Sequence, residues 1–356
     1  MAPEPIPEVL EAPALPEARP ARRCGECHES YLTEWTESKH AGSDRSPTYR
    51  AMRALAPDAT SCDRCHAPLA AVVGRGEAVV AEGVSCEVCH AIAEVTVGNG
   101  AAGAPSWSLQ LAENRKYGPL CDVADPYFHR AGCSPLHSES RLCAACHHLP
   151  HPDPGGTSTG EYAQWQQSEA MRAGLHCQDC HMPERSGTAA SGGPERSGIS
   201  HHGDGPAIGD ALRLEATVFA SDGGLEVRGT LQVHGAPHAL PAGLPGRELA
   251  MVAELVDGTG KVLGRDTAGH SLSMLDVMDS TVPFFQATQV VDTRLQPDET
   301  RVFTLRLPAA PYGARVVLEL VDRPISDALA RVLGIEPPLA RVLQSLRFMS
   351  PWVRDP

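Results

Sequence analysis

One pentapeptide, Cys-x-x-Cys-His, occurs five times in the first half of the chain and uses ten of its 12 cysteines. The five copies are Cys24, Cys27 and His28; Cys62, Cys65 and His66; Cys86, Cys89 and His90; Cys143, Cys146 and His147; and Cys177, Cys180 and His181. Cysteines three positions apart share one face of a helical turn, and the imidazole follows directly. Each copy therefore predicts a turn that presents two thiols and one imidazole to a single bound group.

This pentapeptide is the attachment motif of haem c. The two thiols add to the vinyl groups on one porphyrin edge, and the imidazole becomes the proximal iron ligand. Structural zinc sites and redox dithiols also use Cys-x-x-Cys pairs, but neither needs the His. With 16 His among 356 residues, chance would place one after a given pair about once in 22. We therefore predict five haems c, bound through the ten motif cysteines and the five motif histidines.

The composition agrees with a cofactor-filled interior. Aromatic residues make up 4% of the chain, whereas Gly and Pro number 33 and 31, a mixture poor in bulky core formers. Five haems within residues 24–181 leave about 30 residues for each, so the macrocycles must pack against one another and supply apolar bulk. The net charge of -14 argues against nucleic-acid binding. The sequence has no apolar run of the length that predicts a membrane-spanning helix.

The chain divides into four segments by its pattern. Residues 1–22 predict a Pro-rich tether, and residues 23–207 a pentahaem domain of loops and short helices such as 30–40 and 162–173. From residue 208 the apolar residues alternate, with turn residues between runs, which predicts an antiparallel β-sandwich over 208–322. Its expected strands are 211–220, 225–233, 248–256, 261–265, 286–295, 301–307 and 315–321. A tail over 323–356 is predicted as two short helices, 325–334 and 339–348, which gives an α+β fold class overall.

The first motif and the residues after it resemble a known family. The run Cys24-Gly-Glu-Cys27-His28-x-x-Tyr31-x-x-x-Trp35-x-x-Ser38-x-His40 is similar to the opening of the cytochrome c-554 type. That type belongs to the multihaem superfamily that includes hydroxylamine oxidoreductase and pentahaem nitrite reductase. The resemblance implies that His40 binds an iron other than that of its own motif. It also implies distal ligands at His137 and at the His201-His202 pair. A partial echo of the run, Tyr162-x-x-Trp165-x-x-Ser168, precedes the fifth motif, with Ala170 in place of the second His.

The second half resembles a domain that is often fused behind such haem clusters. The family's turn Gly-His-x-x-Pro-Thr-Gly, followed by an Arg, here reads Pro237-His238-Ala239-Leu240-Pro241-Ala242-Gly243, with Arg247 after it. The Gly before the His and the Thr are changed, but the His is kept. The resemblance therefore implies that His238 supplies a further distal ligand.

Eleven histidines remain after the motifs, enough for a second His at every iron. We rank His40 and His137 first as distal ligands, then His202 and His238, then His129, with His201 as the alternative to His202. Met52, Met171, Met182, Met274 and Met278 are the alternative distal ligands, although Met is more often core filling. His148 is expected to point off the haem or to bond a propionate, and His151, His176, His234 and His270 are expected to bind no iron. The remaining Cys121 and Cys133 are expected to form a disulfide.

Two axial His ligands at every iron would leave no open site for a small molecule. The chain is then expected to carry electrons between redox partners such as other cytochromes, a quinol-linked membrane complex or a surface conduit. The alternative is an oxidoreductase acting on a small nitrogen or sulfur compound at one open haem, with Arg45, Arg50, Arg115, Tyr117, Arg130 and His129 as candidate binding groups. All five motifs end in His, so the Lys variant of pentahaem nitrite reductase is missing. A third possibility is a subunit of a larger assembly or filament.

The expected compartment follows from the cofactor. In proteins similar to this one, haem c is attached on the outer side of the cytoplasmic membrane, so a periplasmic or extracellular location is expected. Residues 1–22 lack the basic-then-apolar pattern of an export signal. We therefore expect them to be a trimmed mature start, or the recorded start to be incorrect.

Overall fold

The computed structural model describes residues 18–98, 105–111, 114–123, 127–148, 160–203, 205–243 and 245–350. Most of the predicted tether, residues 1–17, and also His151 lie outside these ranges. The helices within them are α1 Ala21–Gly25, α2 Glu29–Glu37, α3 Pro47–Leu55, α4 Ala59–His66, α5 Ala70–Val73, α6 Cys86–Ala91, α7 Ser140–His147, α8 Glu161–Trp165, α9 Glu169–Arg172, α10 Cys177–His181 and α11 Asp327–Leu333. The first ten of these lie in the segment that carries the five motifs.

The helices of the first half are short, and local capping sets where several of them begin. Ser46 caps α3 by accepting the N–H of Tyr49, and Pro47 occupies the first helical position, where its missing N–H costs nothing. Asp58 caps α4 by accepting the N–H of Thr60 at 2.9 Å. Helices of one to three turns are not stable by themselves, so packing must hold them.

Apolar packing in the first half is modest. Its largest cluster of buried residues comprises only Ala67, Leu69, Val80, Val88, Ala91 and Leu111. Three small sheets accompany the helices: the antiparallel pairs β1 Ile92–Thr96 with β2 Ser106–Leu109 and β5 Glu184–Thr188 with β6 Glu195–Ile199, and the parallel pair β3 Arg115–Gly118 with β4 Arg130–Cys133. An apolar core this small agrees with an interior that is partly filled by bound cofactors.

Two larger antiparallel sheets form the second half. Their strands are β7 Leu212–Ser221, β8 Gly224–Val233, β9 Glu248–Val256, β10 Val262–Leu275, β11 Gln289–Asp292, β12 Thr300–Pro308, β13 Arg315–Arg323 and β14 Arg341–Met349. The strand orders are β11-β10-β9-β13-β14 and β12-β8-β7. Leu225 and Leu231 of the smaller sheet share one core with Met251, Leu255 and Leu318 of the larger. Helices followed by antiparallel sheets confirm the predicted α+β fold class.

The tail departs from its prediction. The first predicted helix is present as α11, but the prediction of a second helix over 339–348 is wrong. Residues Arg341–Met349 instead form β14, which pairs with β13 along its length. The predicted strand at 261–265 also proves to be only the start of β10, which runs on to Leu275.

Helix α11 joins the two halves of the molecule. Its residues Leu329 and Ala330 pack with Ile325 against Met52 of α3, so the helix covers part of the haem-motif segment. Within the described ranges, no helix combines the length and the apolarity that crossing a bilayer requires.

Candidate haem sites

All five motifs occupy short helical turns, as their spacing predicts. Helices α4, α7 and α10 end on the motif histidines His66, His147 and His181. His90 is the next-to-last residue of α6, and the first motif begins within α1 at Cys24 and ends just after it at His28. The ten motif cysteines are unpaired and partly buried, so both thiols of each turn are open to covalent attachment. Each motif therefore has the local geometry that addition to one porphyrin edge needs.

The Nδ1 atoms of two motif histidines donate to backbone carbonyls. His28 Nδ1 lies 2.6 Å from the oxygen of Ala189, and His90 Nδ1 lies 2.6 Å from the oxygen of Tyr117. A donor at Nδ1 leaves the lone pair on Nε2, which is the atom an iron binds. Burial and the nearby His201 imidazole lower the pKa of His90 to about 3, so its ring is neutral at physiological pH.

Four motif histidines have a second imidazole opposite them. The ring centroids are 6.4 Å apart for His28 and His129, 6.3 Å for His40 and His147, 6.3 Å for His90 and His201, and 6.2 Å for His181 and His238. An iron held between two imidazole nitrogens at about 2 Å each keeps the ring centroids roughly 6 Å apart. The four separations therefore fit an iron between each pair of rings.

His90 has a second neighbouring imidazole besides His201. The ring of His137 is stacked on it at 5.7 Å, while His137 Nε2 lies 3.0 Å from the carbonyl oxygen of Cys89. The structure brings His201, rather than His202, against a motif imidazole. The His202 ring is half exposed and lies 3.5 Å from the carboxylate of Glu37.

Buried ring nitrogens without partners provide a further test of cofactor fit. Among the described residues, no hydrogen-bond partner exists for His137 Nδ1 or for either ring nitrogen of His148, and all three atoms are buried. A buried polar atom left unpaired costs about 1–3 kcal/mol. These atoms need partners that the described polypeptide does not supply, as an iron or a haem propionate would.

The second motif has different surroundings. The ring stacked on His66 is the phenol of Tyr49, with centroids 4.5 Å apart and planes at 20°. Asp63, inside the motif, accepts hydrogen bonds from the Tyr49 hydroxyl and from Arg53, the latter at 2.5 and 2.8 Å. Arg75 lies 3.6 Å from the same carboxylate. The groups around His66 are thus a phenol and charged side chains, which sequence reasoning missed.

The Tyr-Trp-Ser echo noted in the sequence has a structural counterpart. The hydroxyl of Ser38 donates to the carbonyl of Trp35 at 2.7 Å, and that of Ser168 donates to the carbonyl of Trp165 at 2.7 Å. Each indole N–H also donates to a distant carbonyl at 2.9 Å. The two segments therefore share one local design, and only the first carries a His, His40, two positions after its Ser.

A loop of the second half reaches the fourth and fifth motifs. His238 lies opposite His181, and the N–H of the next residue, Ala239, donates to the side chain of Gln164 at 2.9 Å. The N–H of Gly243 donates to Glu161 Oε1 at 2.6 Å. We name residues 238–243 the bridging loop, since they connect the sheets to α8 and to His181.

Glu161 also faces the fourth motif. Its Oε2 lies 3.7 Å from His147 Nδ1. Surrounding protein lowers the pKa of His147, but the carboxylate more than offsets this and the net shift is upward. Burial acts to raise the pKa of Glu161, yet His147 and the N–H of Gly243 hold it at about 2. The carboxylate is therefore charged at neutral pH. Sequence reasoning missed it, because Glu161 lies just before the predicted helix 162–173 and outside every motif.

The two remaining cysteines, Cys121 and Cys133, form the expected disulfide, with Cα atoms 4.7 Å apart. The bridge ties Cys133, at the end of β4, to the segment after β3. His129, opposite His28, lies just before β4. The disulfide thus stabilises the strand next to a candidate ligand.

The other residues considered as iron ligands or as substrate-binding groups have different surroundings. Met52 and Met274 are buried among apolar side chains, Met171 and Met278 are exposed, and Met182 is partly buried. His148 packs on Tyr162, His176 on Ser140, His270 on Arg301, and His234 is exposed. Of the groups suggested for an open haem, Arg45 and Arg50 lie near the second motif, whereas Arg115, Tyr117 and Arg130 lie on β3 and β4 beside the third.

Thiols of different motifs lie close enough to shift one another's pKa: Cys24 with Cys86, Cys65 with Cys146, and Cys143 with Cys177. The helices that carry them also pack together, α1 with α6, and α7 with both α4 and α10. The first motif is thus next to the third, and the fourth is next to both the second and the fifth. Haems attached at these motifs would therefore have adjoining edges.

Comparison with known proteins agrees with this geometry. Residues 23–91 match the family model described as cytochrome c554 and c-prime. The crystal structure of a penta-heme cytochrome c552 from Thermochromatium tepidum superposes with a TM-score of 0.70, at 20% identity, over 93% of this chain and 98% of that one. Because the superposition spans nearly the whole of both chains, this chain, including its two larger sheets, has the fold of the penta-heme protein.

Other comparisons add little. The structural-genomics target SoR45 matches at a TM-score of 0.21 and 11% identity, over 41% of this chain and 91% of that one, a likeness too low to support an inference. No curated protein matches the sequence.

Proposed function

We propose that this chain is a multihaem c-type cytochrome, which transfers electrons between redox partners through five covalently bound haems c. The proposed attachment residues are the ten motif cysteines, and the proposed proximal ligands are the five motif histidines. Four irons are proposed to carry a second His: His129 opposite His28, His40 opposite His147, His238 opposite His181, and His201 or His137 opposite His90. When bound, the haems supply reversible one-electron redox chemistry.

The observation that carries this proposal is the set of four imidazole pairs. Each pair has the separation that one iron between two nitrogens requires, and each joins a motif histidine to one from a distant segment. An iron with two imidazole ligands has no open position for a substrate and tends to a low reduction potential. Four such sites suit a conductor of electrons better than a set of catalysts.

The contacts between thiols support continuous conduction. Adjoining attachment edges, as at Cys65 with Cys146 and Cys143 with Cys177, favour short gaps between neighbouring haems. We propose other cytochromes or a quinol-linked membrane complex as electron donors or acceptors, and a periplasmic or extracellular location, because haem c is attached outside the cytoplasmic membrane in similar proteins.

The test is the spin state of each ferric haem in the purified protein. We expect mass spectrometry to show five haems per chain, and low-temperature EPR to show at least four low-spin signals of the bis-His type. Fewer than four such signals, or a colourless protein, would contradict the proposal. A variant with His238 changed to Ala should convert one low-spin haem to high spin, whereas His234→Ala, an exposed His in the same half, should change none.

A second candidate function rests on the surroundings of His66. The ring packed against this histidine is the phenol of Tyr49, whereas the other four motif histidines face an imidazole. We propose that an open position at this iron would make the second motif the site for reduction or oxidation of a small nitrogen or sulfur compound. Arg45 and Arg50, close to this motif, are the candidate groups for binding an anion.

Ligand binding separates the two functions. A high-spin ferric signal that shifts when cyanide or nitrite is added favours the second candidate, provided that the His66→Met variant loses the shift. Five low-spin haems that ignore both anions leave electron transfer as the sole function. Turnover of nitrite, hydroxylamine, sulfite or tetrathionate with a reduced viologen dye completes the comparison.

A further inference from the structure

The fourth motif differs from the first and third in the group that faces Nδ1 of its histidine. His28 and His90 donate to neutral backbone carbonyls at 2.6 Å. His147 Nδ1 instead faces the Glu161 carboxylate, with its Oε2 at 3.7 Å. We propose that Glu161, placed beside His147, lowers the reduction potential of the haem of the fourth motif. This inference rests on the proposed function, since it needs a haem at each motif.

The carboxylate is fixed in this position. Its side chain is only 16% exposed, and its other oxygen, Oε1, accepts the N–H of Gly243 at 2.6 Å. One carboxylate oxygen is thus held by the bridging loop while the second is turned toward the imidazole. A group held by two elements from opposite halves of the chain stays beside His147 rather than swinging into solvent.

A fixed negative charge at this distance acts on the haem by electrostatics, because 3.7 Å is beyond hydrogen-bond distance. The charge repels an added electron, which favours the ferric over the ferrous state, and partial burial of the carboxylate strengthens that repulsion. The effect falls off with distance, so it is largest at the fourth haem and smaller at the fifth, whose His181 the same carboxylate also influences.

The position of the fourth motif makes this difference consequential. Helix α7, which carries the fourth motif, packs against α4 of the second motif and α10 of the fifth. The fourth haem would therefore lie at a junction of the array. A lowered potential there makes the passage of an electron between the second and fifth haems less favourable.

The experiment is a spectroelectrochemical titration of the holo-protein, followed by EPR. In Glu161→Gln, the midpoint potential of the His147 haem should rise more than that of any other haem. Glu169→Gln is the matched control, since this glutamate is close in sequence but exposed and paired only with Arg172. In the control all five midpoints should equal those of the wild type.

A second variant protects the test against a folding defect. Glu161→Asp keeps the charge but withdraws it from Nδ1, so the same midpoint should rise by less than in Glu161→Gln. If neither variant moves any midpoint, or if the midpoint that moves most is not that of the His147 haem, the proposal is overturned. A haem count of five in both variants keeps this result separate from failure of the proposed function, which would appear as missing haem in the wild type.

Discussion

A single buried carboxylate in the larger sheet offers a sharp test of how burial sets the strength of ion pairs. Asp322 is 1% exposed and accepts two hydrogen bonds from Arg247, at 3.0 and 2.9 Å, and one from Arg341, at 2.7 Å. Arg247 is 22% exposed, whereas Arg341 is 59% exposed. Two arginines thus share one carboxylate from very different environments.

The expected magnitudes follow from these exposures. Removing one member of a buried ion pair costs about 3–5 kcal/mol, because a charge is left uncompensated. Since Arg247 keeps some contact with water, we expect Asp322→Asn to lower the free energy of unfolding by about 3 kcal/mol. An exposed pair contributes about 0–1 kcal/mol. Arg341→Gln should therefore cost about 0.5 kcal/mol, although its hydrogen bond is the shortest of the three.

Guanidinium denaturation of the holo-protein at neutral pH, followed by far-UV circular dichroism, measures both values. Equal losses in the two variants would refute the reasoning, because they would mean that the contact distance, and not burial, decides the energy. A loss below about 1 kcal/mol for Asp322→Asn would refute it as well. Haem content, measured beside each curve, confirms that the variants are compared with the same cofactor load.

Three further predictions concern pH, ligation and the disulfide. Burial raises the pKa of Asp322, but its two arginines more than offset this and hold it below the ordinary value. The charged carboxylate then contributes stability above its unfolded-state pKa of about 3.9, and this contribution is lost as the pH falls through the folded-state pKa. Below about pH 4, the free energy of unfolding should therefore fall more steeply in the wild type than in Asp322→Asn. His201→Ala should alter the EPR signal of one low-spin haem, whereas His202→Ala should alter none; the opposite result would show that the extended segment presents its other face to the cofactor. Replacing both Cys121 and Cys133 by Ser should lower the unfolding free energy by about 2–3 kcal/mol, measured by the same denaturation, and an unchanged value would mean that the short loop is ordered without its bridge.

The sequence predicted most of the second half because its signals are local. Alternating apolar residues on either side of Asp222-Gly223 predicted the hairpin, and β7 and β8 pair there with Gly223 at a φ of 84°. In this hairpin, neighbouring residues alone carry the alternating pattern, and turn chemistry determines where the chain reverses. The disulfide and the α+β class are likewise confirmed.

The tail shows where local signals mislead. Leu339, Val342, Leu343 and Leu346 have helical spacing, which predicted a helix. The register between β13 and β14 shifts at Leu320 and Val321, so one residue of β14 is extra and the alternation is interrupted there. A bulge of this kind imitates a helical period in the sequence. Pairing with β13 overrides the local preference for a helix, and no residue close to β14 in the sequence indicates that pairing.

The candidate site divides in the same way. The five motifs are local, and each occupies the turn that its spacing predicts. The choice between His201 and His202 depends on which side of the segment after β6 faces inward, and neighbouring residues in the sequence do not determine that. Glu161 escaped notice because its partners, His147 and Gly243, come from other elements. The identity of every distal ligand stays a prediction until the irons are observed.

The pairing of distant histidines bears on how such a molecule matures. In the proposed ligand set, the partner of His28 lies about 100 residues downstream, and that of His181 comes from the bridging loop. If haems attach as the exported chain emerges, the first, third and fifth motifs would bind theirs before the second ligands arrive, whereas His40 would already be present when His147 receives its haem. Each of those three irons would then close a long loop on gaining its second His. The absorbance spectrum of the emerging chain would thereby report how much of it has assembled.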